Sequence, residues 1–382
     1  MRLLPWDGEV EGLGPGADAP AAFGRLGEAT RDAVAAAGMR IEALPRTEHL
    51  IVEDGTVLGP DALSAALAAG RACGSSCRLR LGGQLGALLA EVGLGDEGAH
   101  DIVYVPERAA AVPVLIRDTP VVTLDPKERL VPIPMPGGQD GFPLSDRFAV
   151  RVRHWLQLLW ANLFGLPPGL WGALVGRSAP VMLWRLAAAA LRVGSLRPQR
   201  VVAGLGWRGP GVQVHPSAIV EASWLGEGAS VGPGAVVRGA ILGAGVRVEA
   251  LALCEGVVAG PGAVVQRQAM LKYSVIGADA MIGGVTQLSV LGTGASLKRG
   301  AYGMDQGLGR AVRIAVGEGR VDAPLGLAGV CLGADAVVGC GVSIAPGRAI
   351  PPGVALVAET ALVHPPAEAG RYVVRGGRGE PL

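Results

Sequence analysis

The 382-residue chain lacks an excess of charge of either sign, with 34 Lys and Arg residues against 33 Asp and Glu residues. Nucleic-acid-binding domains carry a basic patch or stripe that attracts phosphate, so this balance argues against a nucleic-acid partner. Aromatic residues are also scarce, at 4% of the chain. On length alone we expect two domains.

Cysteine is infrequent as well. The five cysteines are an odd number in a long chain, which argues against a disulfide-stapled fold. Cys73 and Cys77 have no second pair nearby, so we expect two small apolar residues rather than zinc ligands. The first residues, Met-Arg-Leu-Leu-Pro-Trp-Asp, lack the apolar region of a secretion signal. We therefore expect a cytoplasmic protein.

Glycine, in contrast, is abundant, with 61 residues, and half of the chain is hydrophobic. This combination indicates a packed fold with tight, repeated corners rather than disorder. From about Gly211 onward, the chain repeats an aliphatic residue, a glycine, two turn-forming residues and a small residue. The aliphatic positions are six residues apart between Leu225 and Val231, between Ile276 and Ile282, and across Leu332, Val338 and Ile344.

The six-residue period predicts a left-handed parallel β-helix over residues 211–364. One inward side chain in every six residues implies a short strand followed by a corner, and three such units close a triangular coil of about 18 residues. Coils then stack at strand spacing, about 4.8 Å. Residues 299–329 break the pattern and are interpreted as a loop or hairpin projecting from the prism. We expect residues 365–382 to be a mobile tail.

The N-terminal part, residues 1–148, alternates helix and strand patterns, which predicts an α/β domain with a parallel sheet. Two helices are expected, over Ala29–Gly38 and from Asp61 to Arg71. The expected strands are one in His49-Leu-Ile-Val-Glu-Asp-Gly, which runs into a turn, and Cys77–Leu81, Val114–Ile116 and Val121–Leu124.

Residues 149–210 form an apolar connector that holds four of the seven tryptophans: Trp155, Trp160, Trp171 and Trp184. Pro167-Pro168 is expected to divide the connector into two helical pieces, which argues against a membrane-spanning segment. Two interpretations stay open. The connector is either a helical pair packed between the domains or a peripheral membrane contact through residues 155–184.

Three segments of the β-helix resemble a known family: Val214-His-Pro-Ser-Ala, Val231-Gly-Pro-Gly-Ala-Val-Val and Ile344-Ala-Pro-Gly-Arg-Ala-Ile-Pro-Pro-Gly-Val. On these motifs the chain resembles the hexapeptide-repeat acyltransferases and the C-terminal domains of sugar nucleotidyltransferases. Such motifs are specific for fold rather than for activity. The resemblance implies a homotrimer with active sites in the grooves between prisms. It also implies a nucleotide sugar, or an acyl donor such as acetyl-CoA, as ligand.

An α/β domain in front of such a helix is similar to the arrangement in bifunctional uridyltransferase/acetyltransferases. In that family a glycine loop with an Arg and a following Lys binds the nucleotide. Here Gly12-Leu-Gly-Pro-Gly follows no clear strand and lacks both basic residues. The resemblance therefore implies a divergent nucleotidyltransferase-like domain. Its carboxylates, at Glu53-Asp54, Asp96-Glu97 and Asp101, either hold magnesium or are ordinary turn residues.

The candidates for catalysis are His215 and Asp305. Acyl transfer needs a general base, most often a histidine on a coil, and His215 is either that base or a cap of the first coil. No histidine occurs in residues 216–363, which argues against a standard acyltransferase. It also rules out the three-histidine zinc site of hexapeptide-type carbonic anhydrases, so no metal site is expected in the β-helix. Asp305 belongs to the polar set of the interruption.

The candidates for substrate binding are Lys272, Tyr273, Arg299 and Arg310. The two arginines are suited to hold a phosphate or carboxylate, although the same stretch would equally serve as a trimer contact. Lys272 and Tyr273 are expected to face a groove or a solvated edge, because a long cation rarely points into a prism. The sequence thus predicts a transferase acting on a nucleotide sugar or another activated sugar, by acyl or nucleotidyl transfer. The alternative is a non-catalytic trimerisation scaffold.

Overall fold

The computed structural model describes residues 2–4, 9–10, 14–15, 20–21, 24–25, 39, 47–53, 56–92, 102–107, 119–131, 142–176, 178–307, 309, 311–358, 372–375 and 378–381. Within these residues the chain folds into an N-terminal α/β region, a set of connecting helices and a C-terminal β-helix. The predicted fold class is confirmed.

The β-helix has three faces, each a parallel sheet in which consecutive coils are neighbours. Face one consists of Gly206–Arg208, Ser223–Leu225, Ile241–Leu242, Val258–Ala259, Val275–Ile276, Val290–Leu291, Cys331–Leu332 and Ala349–Ile350. Face two consists of Gln213–Val214, Ser230–Val231, Arg247–Val248, Val264–Val265, Met281–Ile282, Ser296–Leu297, Val337–Val338 and Ala355–Leu356. Face three consists of Ile219–Glu221, Val236–Arg238, Leu253–Glu255, Met270–Lys272, Val285–Gln287, Tyr302–Gly303 and Ser343–Ile344.

The interior of the prism is aliphatic, as the repeat pattern predicts. Side chains in register stack from coil to coil, for example Leu225 on Leu242 and Ile276 on Leu291. The residues expected inside are all buried: Leu225, Val231, Ile276, Ile282, Leu332 and Val338. Burying one such side chain contributes about 1.5–3 kcal/mol. Because each coil contacts only its neighbours, this stabilisation accumulates along the solenoid.

The coil is shorter than the expected 18 residues in the first part of the β-helix, where positions in register are 17 residues apart. Inward positions are six residues apart at two corners and five at the third, as from Val237 to Leu242. We call this third turn, from face three to face one, the tight corner. One residue with positive φ makes the turn, for example Gly239 at 54° and Gly256 at 61°. Glycine adopts this conformation without a steric penalty.

The N-terminal region contains a five-stranded sheet in the order Arg2–Leu4, His49–Glu53, Ile102–Val105, Cys77–Leu81 and Val121–Leu124. Helix α1 (Ala62–Cys73) follows the short strand Thr56–Leu58, and helix α2 (Gly83–Val92) follows Cys77–Leu81 of this sheet. The sheet is mixed and not fully parallel as expected: both outer pairings are parallel, whereas Ile102–Val105 runs antiparallel to both of its neighbours. This strand is fully buried, and an apolar run encodes burial but not direction. The expected elements Ala29–Gly38 and Val114–Ile116 lie outside the described residues.

Short antiparallel pairs complete this region. They join Glu9–Val10 to Gly14–Pro15, Pro20–Ala21 to Gly24–Arg25, Arg129–Val131 to Phe142–Leu144, and Ala149–Arg151 to Thr56–Leu58. The last pair links the start of the connector back to the N-terminal region.

Three helices make up the rest of the connector: α3 (Trp155–Val175), α4 (Ala179–Val193) and α5 (Pro198–Ala203). The expected division at Pro167-Pro168 is wrong, because α3 runs through both prolines and ends at Val175, with Gly176 as its C-cap. Each proline removes one i→i−4 hydrogen bond. The helix continues because its residues before and after the prolines are buried in two apolar clusters, and this packing outweighs the loss. By length and composition α3 could cross a membrane, but 56% of its apolar window is buried inside the protein.

Helix α3 covers the outer side of face one and joins the two halves of the molecule. Val275 and Val290, which point outward from face one, share a buried cluster with Trp155 of α3 and Phe148 of the N-terminal region. Further along α3, Leu170 packs in a second cluster with residues of face one. Face one is therefore occupied by the chain's own helices.

The chain leaves the β-helix at the tight corner after Tyr302–Gly303 and returns at Cys331–Leu332. Between them lies the predicted hairpin, Arg313–Val316 paired with Gly319–Asp322. It does not project from the prism as expected. Ile314 is fully buried in the cluster around α3. Val312 and Ile314 alternate with exposed residues, so the hairpin has one apolar face that packs against the protein.

The described β-helix ends at Ala355–Leu356. Beyond it, Tyr372–Arg375 and Arg378–Pro381 form an antiparallel pair. These residues fall in the segment expected to be a mobile tail, and they have regular secondary structure.

Candidate functional site

The tight corner carries one polar side chain per coil in a column along the prism. The last residues of successive face-three strands are in register, in the order Glu221, Arg238, Glu255, Lys272 and Gln287. Neighbours in such a column are about 4.8 Å apart. Because acidic and basic residues alternate, each charge faces an opposite one on the next coil.

These side chains pair along the column. Glu221 and Arg238 approach to 2.7 Å between Oε2 and Nε, and Glu255 and Lys272 to 3.0 Å between Oε2 and Nζ. Gln287 donates from Nε2 to Oδ2 of Asp305 at 2.7 Å. Asp305 is nearly buried, and its backbone oxygen accepts from the N–H of Ala328. The column therefore ends at the point where the hairpin segment leaves the β-helix.

Serine residues fix the tight corner from inside. Ser274 Oγ donates to the backbone oxygen of Lys272 at 2.7 Å and accepts from the N–H of Ser289 at 3.2 Å. Ser289 repeats the arrangement one coil further, with Gln287 and Val330 as partners. Each buried hydroxyl therefore both donates and accepts, which satisfies its hydrogen-bonding capacity inside the protein. This rigid backbone holds the outward side chains at 272 and 287.

Tyr273 stands at the turn residue of the tight corner with φ 48°, a conformation that L-residues rarely adopt. Its ring lies on the backbone of Gly256 in the preceding coil. A Cβ atom at position 256 would come within 2.6 Å of Tyr273 Cδ1, so only glycine fits there. Burial, and then the Glu255 carboxylate, raise the pKa of the Tyr273 phenol above its ordinary value. The hydroxyl therefore stays protonated and can donate a hydrogen bond.

His215 lies elsewhere, at the corner between face two and face three in the first coil. Its Nδ1 is 2.8 Å from Ser217 Oγ and accepts from the Ser217 N–H at 3.2 Å. Ser217 Oγ in turn accepts from the N–H of Gly234 in the next coil. The side chain thus closes the first coil as a cap does. Asp305 follows the sixth face-three strand, so roughly 24 Å along the axis separates the two catalytic candidates.

The two candidate arginines do not join the column either. Arg299 is exposed at the same corner as His215, in the sixth coil, and Arg310 lies outside the described residues. Of the six candidate residues, the structure places Lys272, Tyr273 and Asp305 along the tight corner, with Gln287 between Lys272 and Asp305. Sequence reasoning missed Glu255 and Gln287. Charged residues recur every 17 residues at Glu221, Arg238, Glu255 and Lys272, and this spacing in the sequence could have indicated Glu255.

The structure describes few of the candidate residues in the N-terminal region. Asp54, Asp96, Glu97 and Asp101 are outside the described residues, and of Gly12-Leu-Gly-Pro-Gly only Gly14–Pro15 is described, as a short strand. Within the described part of the chain, no group of three or more His, Cys, Asp or Glu residues could hold a metal ion.

The described part of the N-terminal sheet does contain a polar cluster that the sequence did not indicate. Arg71 Nη2 donates to Glu48 Oε2 at 2.6 Å, and the Tyr104 hydroxyl donates to Glu48 Oε1 at 2.6 Å. The hydrogen bonds from Arg71 and then Tyr104 lower the pKa of Glu48, and burial followed by Glu48 raises the pKa of Tyr104 to about 12. The cluster ties α1 to the sheet.

Comparison with known proteins identifies no family. No family model matches the sequence, and no curated protein matches it. Among solved structures, the chain is similar to a Bacillus cereus protein described as a putative acetyltransferase. The two are 18% identical, with a TM-score of 0.21 over 39% of this chain and 67% of the other. At this level the similarity concerns the fold alone.

Proposed function

We propose that the chain is a homotrimeric transferase that binds an activated sugar or an acyl donor beside the tight corner. The observation that carries this proposal is the placement of Lys272, Tyr273 and Asp305 along one corner, with Gln287 on the coil between Lys272 and Asp305. Lys272 and Tyr273 are adjacent, whereas Asp305 lies much further along the chain. A 15-residue coil places Gln287 in register with Lys272, and Gln287 in turn donates to Asp305. The site supplies a cation, a protonated hydroxyl and a carboxylate within a few coils.

Each group has a role that its chemistry supports. Lys272 is partly exposed and presents a compact positive charge suited to a phosphate. Tyr273 donates a hydrogen bond from its protonated hydroxyl. Asp305 is the acceptor that would take a proton from the attacking hydroxyl or amine of the acceptor substrate. Nucleotide sugars and acyl-CoA both carry phosphate groups, so either donor class fits this set.

Face three supports the trimer. The first residues of its strands point outward and form an apolar stripe, on the side of the polar column away from the tight corner. Ile219, Met270 and Tyr302 in this stripe are exposed. Contiguous exposed apolar residues commonly mark an interface between subunits. Face one is covered by helices, so face three is the apolar side of the prism that remains. In such an assembly His215 and Arg299 would join the site only from a partner copy.

Ligand-induced thermal stabilisation tests the proposal. Acetyl-CoA and a uridine diphosphate sugar would each be titrated while the melting temperature of the wild-type protein and of Lys272→Ala and Asp305→Asn is measured. We expect at least one ligand to raise the wild-type melting temperature, and both variants to lose most of the shift. Arg238→Ala is the matched control, because it breaks an ion pair in the same column, two coils away. Absence of any shift at saturating ligand contradicts the proposal.

A non-catalytic scaffold is the second candidate, and one observation favours it. Glu255 with Lys272, and Gln287 with Asp305, satisfy one another within the column. If the column is only structural, the protein will assemble through face three and bind neither donor. Light scattering after size-exclusion chromatography separates the cases. A Met270→Glu variant that becomes monomeric, in a protein that no donor stabilises, favours the scaffold.

A further inference from the structure

We propose that α4, the loop that follows it and the first strand of the β-helix form a surface that binds lipid bilayers containing anionic lipids. We call residues 181–208 the basic apolar patch. This interaction is separate from the proposed transferase site, which lies at the tight corner. The patch packs on α3, whose first half is buried inside the protein. We therefore expect the patch to lie against a bilayer and not to cross it.

The solvent-facing side of α4 is mostly apolar. Its inner side carries Met182, Leu186 and Ala189, which pack in the cluster beneath it. On the opposite side, seven residues apart and therefore in line on the helix, stand Trp184 and Leu191, which are 73% and 83% exposed. A helix on a protein surface normally places polar residues there. Here the polar residues are two arginines on one flank.

The exposed apolar residues continue beyond the helix. Leu183 is exposed next to Trp184, and Leu196, in the loop between α4 and α5, is 89% exposed. Trp207, in the first strand of face one, stacks on Trp224 with ring centroids 3.8 Å apart and remains partly exposed. Tryptophan and leucine at such positions are typical of proteins that insert side chains at the boundary of headgroups and acyl chains.

The charge of this region has one sign. No Asp or Glu occurs between Asp146 and Glu221, whereas the chain as a whole is almost neutral. The exposed arginines of the patch are Arg185, Arg192, Arg197, Arg200 and Arg208.

Two of these arginines are anchored by the fold. Arg185 Nη1 donates to the Ala173 backbone oxygen at 2.6 Å, and Arg192 Nη1 donates to that of Gly204 at 3.3 Å. Their guanidinium groups are therefore held at the flank of the apolar side. Arg192 and Arg208 also line a cleft of about 460 Å³ beside Trp207, where a lipid phosphate would find two cations.

Charge complementarity favours a membrane over a second copy of this chain. A symmetric contact through the patch would bring the arginines of two copies together with no acidic residue of the same region to pair them. An anionic bilayer supplies negative charge to the arginines and an apolar layer to Trp184 and Leu191 at the same time. Each basic residue close to an anionic bilayer adds about 1 kcal/mol of attraction, which corresponds to about a fivefold increase in the binding constant.

Vesicle flotation of the full chain tests the proposal. The protein is mixed with phosphatidylcholine vesicles with or without phosphatidylserine, at low and at physiological salt. We expect flotation with phosphatidylserine only, weakening as salt screens the charges. Trp184→Gln/Leu191→Gln is expected to reduce the partition coefficient, the ratio of vesicle-bound to free protein at a given lipid concentration, at least tenfold. Arg200→Gln/Arg208→Gln is expected to reduce it about 25-fold, at roughly fivefold per charge.

Leu251→Gln is the control for the apolar variant, because Leu251 is exposed on the β-helix away from the patch and Gln268 already occupies the matching turn position one coil later. It should bind vesicles as the wild type does. The proposal is overturned if the wild type does not float with phosphatidylserine vesicles, or if both patch variants float unchanged. It is also overturned if Trp184→Gln/Leu191→Gln changes the oligomeric state without lipid, since the patch is then a self-interface.

Discussion

His154 joins the N-terminus of α3 to the hairpin through Ala315. Its Nε2 lies 3.0 Å from the backbone oxygen of Ala315, while Nδ1 accepts from the N–H of Leu156 at 3.1 Å. Nε2 therefore carries the proton and donates to the hairpin. Gln157 completes a capping box by accepting from the N–H of His154. One ring thus caps a helix and holds a segment 161 residues away.

Replacing His154 separates these two roles. His154→Ala should lower the free energy of unfolding by about 2 kcal/mol, because it removes a helix cap and a buried hydrogen bond. His154→Asn keeps a capping oxygen but is too short to reach Ala315, so about half of the loss should remain. Urea denaturation measures both. If His154→Asn is as destabilised as His154→Ala, the cap contributes nothing.

Glycine at position 256 is expected to be required by Tyr273 and not only by its own backbone. Gly256→Ala brings a Cβ atom against the Tyr273 ring in addition to the positive φ of 61°. Gly239→Ala is the control, because its φ is 54° and no atom lies near the added Cβ. We expect the control to cost about 1 kcal/mol, and Gly256→Ala about 1–3 kcal/mol more.

A second substitution shows whether the ring is the cause. In a Tyr273→Ala background, the cost of Gly256→Ala should fall to that of the control, which a double-mutant cycle from urea denaturation would record. An unchanged cost in that background would show that the Tyr273 ring is not what requires glycine.

The Glu48 cluster should make stability depend on acid pH. The hydrogen bonds from Arg71 and Tyr104 hold the pKa of Glu48 below its ordinary value. A carboxyl whose pKa is lower in the folded state stabilises the protein above its unfolded pKa, about 4.3, and this contribution is lost as the pH falls through the folded pKa. Glu48→Gln should therefore flatten the dependence of melting temperature on pH below about 5. A parallel shift of the whole curve would contradict this expectation.

The cysteines should differ sharply in reactivity. Burial raises the pKa of Cys254 to about 12, and it raises that of Cys331 further, so at pH 8 neither forms the reactive thiolate. Cys340 is exposed. Iodoacetamide should modify Cys340 in the native protein, and Cys254 and Cys331 only after unfolding, as peptide mass spectrometry would show. Cys340→Ser is the control that should remove this native labelling at position 340.

The β-helix was predictable because its code is local. Each coil repeats an inward aliphatic residue and the same kinds of turn-forming residue. The local pattern alone therefore indicates that residues such as Leu225 and Val338 are buried inside the prism. Strand direction in the N-terminal sheet was not predictable in this way. Ile102–Val105 reads as a buried strand, but its antiparallel orientation depends on the path of the connection that precedes it. The course of α3 through Pro167 likewise depends on the surfaces that bury it.

The candidate site was predictable only in part. A long cation at 272 had to point outward, and the sequence singled out Tyr273 and Asp305 as polar residues of the same half. Their proximity depends on coil lengths of 17 and 15 residues and on where the hairpin leaves the prism. The number of residues per coil also places His215 and Arg299 at another corner, away from the column.

The amino-acid sequence alone determined the solenoid and the burial of its interior, because a short period of apolar residues and glycine leaves one compact arrangement. Only the tertiary structure decided which polar residues meet at the tight corner, which face the connecting helices cover and which side of α4 remains exposed. Those outcomes depend on contacts between residues distant in sequence, whose free energies no local pattern contains.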